Sequence, residues 1–239
     1  MKRPLEYLLL GLGTVIAGLE IGTIFVRTDL TAGFQLGDAL TLLCAPLVVP
    51  GFAWAIWRTL RSATAGDASG SRFAPVLLGL GAIWYAEGVG VNIGANAIDR
   101  YLVGQEATLI GRLTYLLDER IGHLVWHAGI VSLVLSMVLA AWHAPATPVR
   151  RTVPLAVGGL LFGFTWFADG VEGQTVPLML PAAVTLLGLV WWWRDHTRTI
   201  RTNPVMAFCA VAASFALLLF LVWALWHRGF PQFSSLGWV

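Results

Sequence analysis

Seven apolar runs, each long enough to cross the roughly 30 Å hydrocarbon core of a bilayer at about 1.5 Å of helix per residue, constrain this chain more than any other feature. They cover approximately 5–26, 36–60, 73–98, 119–142, 153–172, 176–193 and 204–227. Strands of a membrane barrel would alternate apolar and polar residues over short segments, whereas these runs are continuous and often apolar on both faces. The expected fold is all-α: a polytopic membrane protein forming one seven-transmembrane-helix bundle over residues 1–239. With 57% of residues hydrophobic and 12% charged, too few polar side chains exist to cover a water-exposed globule. Thirteen acids and fifteen bases are too few for such a surface, which excludes a nucleic-acid partner, and the net charge of +2 carries no partner information of its own.

Charge placement orients the bundle. Lys2, Arg3, Arg58, Arg61, Arg72, Arg150, Arg151, Arg194, Arg198 and Arg201 flank the spans on one side. Arg27, Arg100, Arg112, Arg120 and Arg228 lie on the other, diluted by Asp29, Asp38, Asp99, Glu106 and Asp118. The bias predicts a cytoplasmic N-terminus and an outside C-terminus, in the cytoplasmic membrane of a bacterium or archaeon. Tryptophans at Trp54, Trp57, Trp191 to Trp193, Trp223 and Trp226 fall where an interfacial belt is expected. The basic start followed by an apolar run imitates a signal peptide, but the run continues to Val26 and reads as the first span. The stretch 61–72 reads as a flexible cytoplasmic linker, and 105–118 as a short helix on the outer surface. Cys44 and Cys209 lie inside apolar runs and read as packed thiols.

Ionisable side chains inside a span are costly, so each is a functional candidate. They gather in three consecutive spans: Glu87, Asn92, Asn96 and Asp99; then Asp118, Glu119, His123 and His127; then Asp169, Glu172 and Gln174. Nearly all fall in the outer halves, which predicts one outward-facing polar cavity. Glu119, His123 and His127 are spaced i, i+4, i+8 and share one helical stripe. Two imidazoles and a carboxylate suit a divalent metal, zinc first, with iron or manganese also possible. The expected ligands are His123, His127 and Asp169, with Glu119, Glu87 and Glu172 as acid–base candidates and Asn92 and Asn96 as cofactor- or substrate-binding groups. Glu87 lies about 140° around a straight helix from Asn92, so it joins the cavity only if that helix is distorted.

The leading functional expectation is a membrane-embedded, metal-dependent, hydrolase-like enzyme acting on a lipid-like or amphipathic small molecule. A transporter or proton pathway would account for Glu87 near mid-depth, although the inner halves of the spans are almost purely apolar. A homo-oligomer or a structural subunit of a larger complex would use small-residue faces such as Gly79 and Gly81, with the histidines only bonding across helices. A retinal Schiff base is excluded because Lys2 is the only lysine. Bis-histidine haem is disfavoured because the two buried histidines share a helix. The seven-helix zinc hydrolases of the ceramidase and adiponectin-receptor group also carry H-x3-H, but in their last span and with a third histidine from the second, and neither feature occurs here.

Overall fold

A computed structural model describes residues 5–31, 33–63, 72–105, 107–145, 147–196 and 200–238. Its helices are α1 (Leu5–Ile16), α2 (Leu36–Ala63), α3 (Phe73–Asp99), α4 (Leu109–Tyr115), α5 (His123–Trp142), α6 (Thr152–Glu172), α7 (Val176–His196) and α8 (Pro204–His227). Among the described residues, seven helical stretches are long and apolar enough to cross a membrane, the architecture of an integral membrane protein with the bilayer as its partner. Two short antiparallel strands, β1 (Asp29–Thr31) and β2 (Phe34–Gln35), join α1 to α2. Lys2, Arg3, Arg198, Glu106 and the 64–71 part of the expected linker lie outside the described residues.

The expected spans match these helices closely, with two departures. The first span is not a uniform α-helix: it continues from α1 as a π turn (Ala17–Ile21) and a 3-10 turn (Gly22–Phe25). The π turn disrupts the carbonyl ladder, and the Leu19 carbonyl accepts from the hydroxyls of Thr23 (2.8 Å) and Thr41 (3.0 Å). The second departure concerns the expected surface helix. Thr108 caps α4 by accepting from the Gly111 amide at 3.1 Å, but the chain then runs through a second π turn (Leu116–Gly122) into α5. One continuous helical stretch, Leu109–Trp142, replaces the expected surface helix and separate span.

Glycines set the closest helix contacts. A Cβ at Gly88 would fall on the backbone of Trp126, and one at Gly129 on the backbone of Tyr85. The α3 and α5 backbones therefore touch, which small residues permit where no hydrophobic force draws helices together in lipid. Gly13 and Gly158 bring α1 against α6 in the same way, and Gly163 seats α6 on the backbone of Ala212 in α8. Cys44 and Cys209 are both free thiols.

At the arginine-poor end, Asp38 accepts from the Gln35 amide at 2.8 Å and pairs with both terminal nitrogens of Arg100. This bidentate contact ties the start of α2 to the end of α3. The hydrogen bond to Asp38 is the main cause that pushes the Arg100 guanidinium above its ordinary value. Arg100 is about one-third exposed, so water screens much of the attraction. Asp38→Asn is expected to lower stability by no more than about 1 kcal/mol, measured as a thermal-melt shift in detergent.

Candidate functional site

Four spans deliver polar groups to one buried region in the arginine-poor half of the bundle. The π turn in the first span presents Glu20, which is 4% exposed. Its Oε1 accepts from the Tyr85 hydroxyl at 2.6 Å and the Trp126 indole at 3.4 Å. Tyr85 and Trp126 stand side by side because Gly88 and Gly129 allow α3 and α5 to meet. The Asp169 side chain, from the last turn of α6, lies within hydrogen-bonding reach of Glu20. Two buried carboxyls thus share one pocket of protein.

The second π turn supplies the other half. It turns Asp118 inward, where Oδ1 accepts from the Asn92 amide at 2.5 Å. His123 is held at both ring nitrogens: Nδ1 faces the Asp118 carbonyl at 3.1 Å and Nε2 faces the Asn92 amide nitrogen at 3.3 Å. A carbonyl only accepts and an amide nitrogen only donates, so Nδ1 carries the hydrogen and the ring is neutral. His127 is fully buried, with Nδ1 bonded to the Thr175 hydroxyl at 2.5 Å. The Trp126 ring joins the two halves, stacked on His123 at 5.8 Å and tilted against His127 at 5.5 Å.

Three side-chain atoms in this region are buried without a hydrogen-bond partner among the described residues: Glu20 Oε2, Asp169 Oδ2 and His127 Nε2. They come from three different spans. Unpaired buried polar atoms are costly, and such atoms mark places where a proton, ion or substrate group belongs.

The region is closed at both ends. Toward the arginine-rich end an apolar layer follows, with Leu12, Ile16, Val49, Ile130, Val134 and Phe162 around a void of about 10 Å³. That space holds at most one water and offers it no polar partner. At the opposite end the α6–α7 turn sits on both imidazoles. A Cβ at Gly173 would stand 2.6 Å from His123 Cδ2 and 2.9 Å from His127 Cε1. The C-terminal segment 230–238 then covers the turn, after Arg228 (φ 54°) and Gly229 (φ 158°) redirect the chain. Glu172 accepts from the Phe233 amide at 2.7 Å and the Ser234 amide at 3.3 Å, and Gln232 donates to Glu119 at 3.0 Å and to the Glu172 carbonyl at 2.6 Å. Phe233 and Trp238 pack on Trp223 at 4.7 and 5.2 Å.

The chain matches no family model, no curated protein and no solved structure.

Among the sequence candidates, His123, His127 and Asn92 come together with Asp118, and Asp169 joins Glu20. Glu119 and Glu172 hold the C-terminal segment at the edge of the region. Asn96 is half-buried one turn beyond Asn92. Glu87 is not in the cluster. α3 is regular, and Glu87 emerges on its outer face beside Gly90, Val91, Ile121 and Val125. Among the described residues, no three His, Cys, Asp or Glu side chains are grouped so as to hold a metal ion. Tyr85, Trp126 and Thr175 were not candidates. Tyr85 shares a stripe with Asn92 and Asn96 at seven-residue and eleven-residue spacing, a signal that would have found it.

Proposed function

We propose that this integral membrane protein is an acid–base enzyme whose centre is the Glu20–Asp169 carboxyl pair together with His127, acting on an amphipathic substrate at the arginine-poor end of the bundle. The observation that carries the reading is the set of three unpartnered buried atoms, Glu20 Oε2, Asp169 Oδ2 and His127 Nε2. Two adjacent carboxylates in a dry interior repel each other, and one proton held between them satisfies both unpaired oxygens. Oriented by Thr175, the His127 ring offers a second proton-exchanging atom, while Tyr85 and Trp126 fix Glu20. The centre thus combines a stored proton with an acceptor, the pairing that general acid–base catalysis needs. The apolar seal toward the arginine-rich end argues against through-conduction, and the charge bias favours a site facing outside.

Infrared spectra of the protein in lipid nanodiscs test the shared proton. A protonated-carboxyl C=O band is expected at neutral pH, shifted in Glu20→Gln and lost in the Glu20→Gln/Asp169→Asn double variant. An unchanged band in the double variant refutes the carboxyl pair. Turnover of ester- and amide-linked amphiphiles by the same nanodiscs tests the enzymatic reading, and no turnover by the wild type ends it.

A metal-dependent form of the same reaction has one observation in its favour, the free Nε2 of the fully buried His127. Of the expected ligands, His127 keeps a free nitrogen while both His123 nitrogens are committed, and no three His, Cys, Asp or Glu side chains among the described residues are grouped as a complete site. Close to one equivalent of zinc, iron or manganese in protein grown with ample metal would support this form; none would remove it.

A further inference from the structure

Glu87 stands fourteen residues from Phe73 and twelve from Asp99, near the middle of α3, and it is exposed on the outer face of the bundle. That position puts a carboxyl at the depth of the hydrocarbon core, where a charge facing lipid is most costly. Around it lies an open groove of about 430 Å³ on the surface of α3, lined by Gly90, Val91, Ile121 and Val125. Gly90 leaves the groove floor open: a Cβ there meets nothing within 4 Å. The groove is shallow and open, and its walls are apolar apart from the single acid.

We propose that this groove binds a lipophilic organic cation, taken up laterally from the bilayer, with Glu87 as its counter-ion. Charge complementarity selects the occupant. An amphiphile with an amine or quaternary ammonium group neutralises the carboxylate while its apolar body fills the space left by Gly90 and covers Val91, Ile121 and Val125. A second copy of the chain packed symmetrically on this face would instead bring two Glu87 carboxyls together and leave the charge uncompensated. The site is separate from the Glu20–Asp169–His127 centre, which lies on the inner side of α3 and α5.

Equilibrium binding of radiolabelled tetraphenylphosphonium to the purified full-length protein in detergent decides the matter. Saturable binding near one equivalent per chain is expected. Glu87→Gln should weaken it by roughly tenfold to hundredfold, from the lost Coulomb attraction of a unit charge about 6 Å away at an effective dielectric of about 20. Gly90→Leu should abolish it by filling the groove while keeping the acid, and both positions are exposed enough for the variants to fold. Absence of saturable binding in the wild type, or binding unchanged in either variant, overturns the proposal. So does a wild-type dimer in light scattering that becomes monomeric in Glu87→Gln, because the face would then be a subunit interface.

Discussion

Gly129→Val is expected to cost roughly 3 kcal/mol of stability or to prevent assembly altogether, at the upper end of the penalty for overpacking a tight interior. A Cβ at Gly129 would stand 2.7 Å from Tyr85 Cα and 2.9 Å from the Gly81 carbonyl. Both neighbours are backbone of a regular helix, so no side chain can swing aside, and α3 and α5 would have to separate along their length. Gly79→Val is the control. It lies on the same helix as Gly81, yet its added Cβ meets nothing within 4 Å, and its effect should stay within about 0.5 kcal/mol. Thermal melts of the two variants in the same detergent compare them. Equal melting temperatures would show that the α3–α5 backbone contact does not hold the bundle. The expected loss also has a chemical reading, since separating these helices withdraws the Tyr85 and Trp126 donors from Glu20.

The spans were legible because their apolar runs leave the chain no alternative in lipid, and the observed ends fall within a few residues for six of the seven. Less legible were the two π turns. The first depends on Thr41, twenty-two residues away, bonding to the Leu19 carbonyl, a tertiary contact that no local pattern announces. The second, Leu116–Gly122, straddles the point at which the expected surface helix, 105–118, gives way to the expected span from 119. In the fold, the π turn sends Asp118 inward to Asn92 and leaves Glu119 at the edge. Asp169 and Glu172 illustrate a related limit. Their i, i+3 spacing suggests one shared face, but Glu172 is the last residue of α6 and its longer side chain reaches out to the Phe233 amide, while Asp169 turns in toward Glu20. Glu87 behaved as helical geometry alone predicted, because α3 stays straight. Tyr85 and Trp126 were hidden by chemistry: aromatic rings count as apolar in any hydropathy argument, yet each carries the one donor that Glu20 needs.

His127→Gln is expected to lower turnover of an amphipathic substrate by roughly a hundredfold to ten-thousandfold, the usual contribution of a positioned acid–base group. Glutamine preserves volume and a hydrogen-bonding contact to Thr175, but its amide cannot exchange a proton near neutral pH. Since His127 is fully buried and packed against Trp126, the melting temperature must be measured beside the rate. A rate loss with an intact melt places the effect in the chemistry. Asp169→Asn should produce a loss of similar size through a different cause: the amide still bonds to Glu20, yet the proton can no longer be shared and passed between two carboxyls. The two losses should not multiply in the double variant if His127 and the carboxyl pair serve one proton-transfer sequence. Additive losses would mean that they act in separate steps. A chelator that reproduces the His127→Gln loss in the wild type, with release of bound zinc, would assign the same residues to the metal-dependent form. A wild-type rate indifferent to His127→Gln would leave the imidazole as a structural link between α5 and the α6–α7 turn.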